Sequence, residues 1–109
     1  MKQIIDWNRT IKLAISDRKP PVEKALKCAE ETGELAEAVL SHLGGHACAY
    51  KGKTEDDVVE EACDVIQCAI SVVAKMYEGR EFPENKMRQW FSSKLDRWEV
   101  KQNAEAKEA

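Results

Sequence analysis

The chain has 109 residues, 43% of them hydrophobic and 34% charged, and a formal net charge of −3. A chain of that length is one domain that buries about two-thirds of its unfolded surface, so its core needs no disulfide or metal staple. The mildly acidic balance excludes the basic footprint of a nucleic-acid binder, and no apolar run approaches the ~20 residues of a membrane span.

A first helix is expected from about Gln3 to Ile15, with Ile4, Ile5, Ile11 and Ile15 as its apolar positions. Asp17 to Pro21 is a break, and Pro20-Pro21 suits the start of a helix rather than its interior. A second helix follows to about Leu43, with Val22, Ala25, Leu26, Ala29, Gly33, Ala36, Leu40 and Leu43 on one stripe, which is the expected core face. Gly33 costs about 1 kcal/mol against Ala there, so a close backbone approach by a neighbouring element is expected at that point. Cys28, Leu35 and Val39 form a second, weaker apolar strip.

Gly44 to Lys53 reads as a loop, and Thr54 as the N-cap of a third helix whose first turn is acidic. That helix carries Val58, Val59, Ala62, Val65, Ile66, Ala69, Ile70, Val73, Met76 and Tyr77, the clearest 3–4 spacing in the chain. At 1.5 Å per residue it is roughly 34 Å long. Gly79 ends it, and Pro83 opens a fourth helix with Met87, Trp90, Phe91, Leu95 and Trp98. Trp90, Phe91 and Trp98 are most simply core. The expected fold is all-α, a four-helix bundle-type protomer completed by oligomerisation. Residues 1–101 form the domain, and the Ala/Glu/Lys tail 102–109 is expected to fray.

The chemistry is concentrated in two acidic pairs of identical i,i+3 spacing, Glu31/Glu34 and Glu61/Asp64, with 26 residues between them. Residues three apart on a helix are neighbours, about 5–6 Å between Cβ atoms, and like charges there repel. No base relieves them: residues 30–37 hold four glutamates and no Lys or Arg, and residues 55–64 hold six acids and none. One such pair is most often a solvated face. Two on adjacent helices would converge four carboxylates, an all-oxygen site suited to Mg²⁺ or Mn²⁺. By 100° per residue, Glu31 and Glu34 point away from the Ala29/Gly33 stripe. A lone bundle would leave them in water, so the two strips of this helix predict a dimer whose acidic faces line a cleft.

The run Glu30-Glu31-Thr32-Gly33-Glu34-Leu35, followed by Glu61-x-x-Asp64, resembles the E-x-x-E then E-x-x-D pattern of the MazG-like, all-α nucleoside triphosphate pyrophosphohydrolases. That superfamily includes dimeric dUTPases, dCTPases and phosphoribosyl-ATP pyrophosphatases. The resemblance covers roughly residues 20 to 78. It implies Mg²⁺-dependent hydrolysis of a nucleoside triphosphate to monophosphate and pyrophosphate, with Mn²⁺ a possible substitute and nucleotide-pool housekeeping as the role. It also implies Glu31, Glu34, Glu61 and Asp64 as metal ligands, and a homodimer or homotetramer. For the general base, Glu34 and Glu30 are both candidates.

On the substrate side, Lys27 lies one turn before Glu31 and could reach a phosphate or simply pair with that carboxylate. The family's late helix brings a basic residue and often an asparagine to the substrate; Lys86, Lys94 and Arg97 stand in that region without a clean matching asparagine. A solvated basic face explains any one of them equally well. Trp7 is the best aromatic platform for a base, although a single tryptophan is more often a core anchor.

Other readings compete. A carboxylate-bridged di-iron bundle needs Glu-x-x-His, and neither His42 nor His46 has a Glu three residues before it. A zinc site from His42, His46 and Cys48 is the weaker reading of those residues, because Gly44-Gly45 breaks the helix that would align the histidines. The four cysteines read as free thiols packed as small hydrophobes. From another class, the chain could be a non-catalytic helical adaptor with solvated acids. Met1-Lys2-Gln3 leads into an amphipathic stretch and not a secretory signal, so the expected location is cytoplasmic, with no membrane or nucleic-acid polymer as partner.

Overall fold

A computed structural model describes residues 1–108. The fold is all-helical, with four helices and no strand among the described residues. They are α1 (Trp7–Ser16), α2 (Pro21–His42), α3 (Glu55–Met76) and α4 (Glu84–Glu108). The chain divides into two compact units, Met1–Gly79 with the first three helices and a second from Arg80 onward that contains α4. No helix is long and apolar enough to cross a membrane.

The helix ends follow local chemistry. Asp6 caps α1 by accepting from Arg9 N at 3.1 Å, so the helix starts four residues later than the apolar pattern of Ile4 and Ile5 suggested. Pro20 is the N-cap of α2 and Pro21 its first residue, where the missing N–H is an orphan in any case. That helix gives way to Gly44 in the left-handed region, φ 75°, a conformation that glycine adopts without strain. Thr54 and Asp57 make a reciprocal capping box: Thr54 Oγ1 accepts from Asp57 N at 3.2 Å, and Asp57 Oδ2 accepts from Thr54 N at 2.8 Å. A short 3-10 turn, Ala49–Lys51, interrupts the expected loop. Buried Ser41 holds that segment by accepting from Lys53 N at 3.0 Å.

In the first unit α3 is central, and both α1 and α2 pack along it. The face that α2 turns inward is not the expected one. Val22, Leu26, Leu40 and Leu43 are 51–76% exposed, and Ala25, Ala29, Gly33 and Ala36 are exposed with them. The inward face carries Lys24, Glu31, Ala38 and Ser41, with half-buried Cys28, Leu35 and Val39 beside them. Lys24, Cys28, Glu31, Leu35 and Ala38 recur at 4-3-4-3 spacing, the seam of one helix packed on another. The weaker strip is thus the packed one. Nothing lies within 4 Å of a Cβ built at Gly33, so the close approach expected there has no partner among the described residues.

Polar contacts fasten the unit. Lys24, 6% exposed, donates to Asp17 Oδ2 at 3.1 Å and to Ser71 Oγ at 2.8 Å, joining α2 to the end of α1 and to α3. Lys75 donates to the carbonyls of Ile15 and Asp17 at 3.1 and 2.7 Å and pairs with Glu78. These are carbonyls that a helix C-terminus leaves without internal partners.

In the second unit, α4 has no buried residue. Trp90, Phe91, Leu95 and Trp98 are all more than half exposed, contrary to a core role. The stretch 102–108, expected to fray, is the end of α4, as its Ala, Glu and Lys content favours; Ala109 lies outside the described residues. All four cysteines are free.

The Lys75 contact gives a direct test of the fold. Lys75→Met keeps the apolar stem and removes the donor, leaving two carbonyls at the end of α1 without their charged partner. Its stability in urea denaturation is expected to fall by about 2 kcal/mol, the scale of hydrogen bonds to a charged group.

Candidate metal centre

Glu31 and Glu34 on α2 and Glu61 on α3 bring one carboxylate oxygen each to within 4.8 Å of one another. This is possible because the polar seam of α2 faces α3 and places its i,i+3 pair against the facing helix. Glu31 is 7% exposed. Its Oε1 takes an ion pair from Lys27 Nζ at 3.2 Å, while its Oε2 is buried with no hydrogen-bond partner. Glu61 Oε2 is buried and unpartnered in the same way. A buried polar atom without a partner is uncommon and calls for an explanation. A carboxylate oxygen that loses water without gaining a donor is costly.

The charges are felt across the cluster. The Glu34 carboxyl is held above its ordinary pKa, first by the charge of Glu31, then by loss of water and by a hydrogen bond that protonated Glu34 can share with the Glu31 carboxylate, with the charges of Glu61 and Glu30 adding to it. Lys27 is pushed above the usual lysine value, chiefly by its hydrogen bond to Glu31 and then by the charge of Glu30. Burial, followed by the Glu31 charge, pushes the Cys68 thiol up.

An open cavity of about 430 Å³ adjoins the cluster, in the gap between α1 and α2 above α3. Leu13, Ala14 and Cys68 supply apolar wall, and the Lys24–Asp17–Ser71 group lines it as well. Lys27, Glu31 and Asp64 complete the side nearest the acids. Most of the residues that line it are polar or charged, so it is an open, polar concavity beside the acids.

The expected site residues divide accordingly. Glu31, Glu34 and Glu61 converge; Asp64, expected as the fourth ligand, is not in the three-carboxylate group and instead lines the adjoining cavity. Glu30 is exposed and pairs with Lys27 at 3.5 Å. Trp7 is half-buried at the start of α1 and does not line this cavity. Lys86, Lys94 and Arg97 lie on α4, in the second unit, where Lys94 Nζ stands 5.7 Å from the Trp90 ring centroid.

His42 pairs with Glu55, Nε2 to Oε1 at 3.6 Å, and His42, His46 and Cys48 form no metal-ligating group among the described residues. Sequence reasoning missed Lys24, Asp17 and Ser71. The position of Lys24 about two turns before Glu31, on the same helix face, was the available signal. No known protein family, curated protein or solved structure matches this chain.

The crowding predicts a pH signature. The folded pKa of Glu34 lies above its unfolded value, so its contribution favours the fold at low pH and is lost as pH rises through the folded value. Glu34→Gln is neutral at every pH. In chelator, the variant is expected to melt a few degrees above wild type at neutral pH. The difference should close as the pH falls below the raised Glu34 pKa, as read by thermal melts across a pH series.

Proposed function

We propose that this chain is a divalent-cation-dependent hydrolase that cleaves a nucleoside triphosphate between its α and β phosphates, releasing monophosphate and pyrophosphate. The observation that carries the metal site is the pair of orphaned oxygens, Glu31 Oε2 and Glu61 Oε2, within a three-carboxylate cluster. An all-oxygen, anionic donor set fits a hard cation, Mg²⁺ with Mn²⁺ as substitute. An adaptor with solvated acids has no need to bury two unpartnered carboxylate oxygens. The choice of substrate and bond rests on the resemblance of Glu30-Glu31-Thr32-Gly33-Glu34-Leu35 and Glu61-x-x-Asp64 to the MazG-like pyrophosphohydrolases.

Glu31, Glu34 and Glu61 would hold the ion, and Asp64 would supply a fourth carboxylate from the cavity side. When bound, such an ion neutralises phosphate charge and lowers the pKa of a water. The chain's own groups do the rest. Glu34 is the better placed of the two candidate bases, since Glu30 turns outward against Lys27. The cavity between α1 and α2 receives the nucleotide, with its phosphates toward Glu31, Asp64 and Lys27. Gly52-Lys53-Thr54 precedes α3, but Ala47 stands where the G-x-x-x-x-G-K-[ST] pattern has its first glycine and no strand leads into it among the described residues, which argues against a loop that holds β and γ phosphates for terminal transfer.

A screen of the natural nucleoside triphosphates with Mg²⁺, followed by chromatography of the products, tests this reading. Monophosphate and pyrophosphate are expected, and diphosphate with free phosphate as main products would refute the bond assigned. Glu31→Ala, Glu34→Ala, Glu61→Ala and Asp64→Ala should each abolish hydrolysis while the protein stays folded. Wild type should also gain melting temperature in Mn²⁺, because a ligand that binds only the folded state stabilises it. No gain would favour the adaptor.

The assembly we infer is a homodimer or homotetramer. The exposed strip from Val22 to Leu43 is a contiguous apolar face of the kind that marks an interaction surface. Its small residues Ala29, Gly33 and Ala36 would admit the backbone of a second copy. Because this strip lies opposite the acidic seam, the acids of each copy stay within their own α2–α3 pair and do not line a cleft between copies. Sedimentation at micromolar concentration is expected to show the oligomer, and Leu26→Glu with Leu40→Glu should shift it to monomer. A wild-type monomer would remove this inference.

A further inference from the structure

Lys27 occupies an unusual position between the acidic cluster and the cavity. Its Nζ lies 3.2 Å from Glu31 Oε1 and 3.5 Å from Glu30 Oε2, and the same side chain lines the 430 Å³ cavity together with Glu31 and Asp64. It neutralises only one edge of the cluster, since Glu31 Oε2 on the same carboxylate is buried without any donor. The Lys27 side chain is 46% exposed, against 9% for Glu31. The carboxylate is therefore fixed by its surroundings, whereas the ammonium has open space beside it. A lysine is a compact point charge on a flexible four-carbon stem, able to trade one anion for another without moving its backbone.

An ammonium and a divalent cation cannot both sit close to Glu31 without repelling each other. We propose that Lys27 is an exchangeable counter-ion: it holds Glu31 until a divalent cation takes that carboxylate, then turns into the adjoining cavity and grips a phosphate of the incoming ligand. This inference rests on the metal site proposed above. The exchange makes cation and phosphate help one another to bind. The cation releases the ammonium that the phosphate needs, and the phosphate offers that ammonium a new partner. By linkage the coupling is the same whichever binds first. A static surface ion pair, the alternative, would contribute little and would couple nothing.

The test compares wild type, Lys27→Met and Lys27→Arg in two titrations. The first measures Mn²⁺ affinity in the absence of any phosphate, by the electron paramagnetic resonance of the free ion. Lys27→Met is expected to bind Mn²⁺ several-fold more tightly, because the competing ammonium is gone. The second measures the affinity of inorganic tripolyphosphate with and without excess Mn²⁺, by calorimetry. Lys27→Met is expected to lose about tenfold in tripolyphosphate affinity, an amount typical of one charged contact, and only in the presence of Mn²⁺. Lys27→Arg, which keeps the charge, should retain most of that coupling.

If Lys27→Met binds Mn²⁺ no more tightly than wild type, or binds tripolyphosphate in Mn²⁺ as well as wild type does, the exchange is overturned and the metal site stands. If wild type binds no Mn²⁺ at all, the metal site itself falls and the exchange falls with it. The two failures are therefore distinguishable.

Discussion

A carboxylate taken out of water must be protonated, paired or given a cation, and Glu31 sits at the α2–α3 seam with one oxygen on Lys27 and the other on nothing. The rest of the first unit is arranged around that burial. If α2 turned its larger apolar stripe toward α3, Glu31 and Glu34 would point into solvent and lose their proximity to Glu61. The observed rotation instead places charge at the seam and leaves Val22, Leu26, Leu40 and Leu43 outside. Such a choice is poor for an isolated chain, because it exposes apolar surface and crowds like charges. It becomes reasonable when a cation resolves the crowding and another surface covers the stripe.

Polar contacts do much of the fastening that apolar packing does elsewhere. Among the described residues the buried hydrophobic positions are few and mostly small: Ala14, Ala38, Ile70 and Ala74. Lys24 and Lys75 supplement them by tying the end of α1 to the other two helices through specific acceptors. Directional bonds fix where α1 lies along α3, and that placement keeps the gap beside α2 open as a cavity. A greasier contact between α1 and α2 would tend to close it.

Much of this was legible in the sequence, and the rest was hidden for identifiable reasons. Thr54 with Asp57, Pro20-Pro21 and Gly44 set helix ends through local hydrogen bonding and backbone geometry, which need no knowledge of the fold. The acidic pairs were visible as spacing without intervening bases. The facing of α2 was not, because counting apolar residues favours Val22 through Leu43 over a seam that mixes Lys24, Glu31 and Ser41 with Cys28, Leu35 and Ala38. Asp64 was paired with Glu61 by spacing alone, and spacing does not say which groups of the facing helices each side chain meets: Asp64 lines the cavity. The exposure of Trp90, Phe91 and Trp98 was hidden for a similar reason: 3–4 spacing identifies an apolar face but not whether the chain itself covers it.

Two of the three clustered carboxylates belong to α2 and the third to α3, so the width of the cage is the separation of two helices. Helix axes pack about 8–10 Å apart according to the side chains between them. Ala38, two turns beyond Glu31 on the same seam and 1% exposed, is a small residue that permits a close approach. If the centre holds an ion, its width would act as a gauge of ionic radius set by packing as much as by the ligands. Ions of Mg²⁺ size require bonds near 2.0–2.1 Å, whereas Ca²⁺ accepts 2.3–2.6 Å. Discrimination between them would then reside in the methyl-sized spacers of the seam, at residues that never touch the ion.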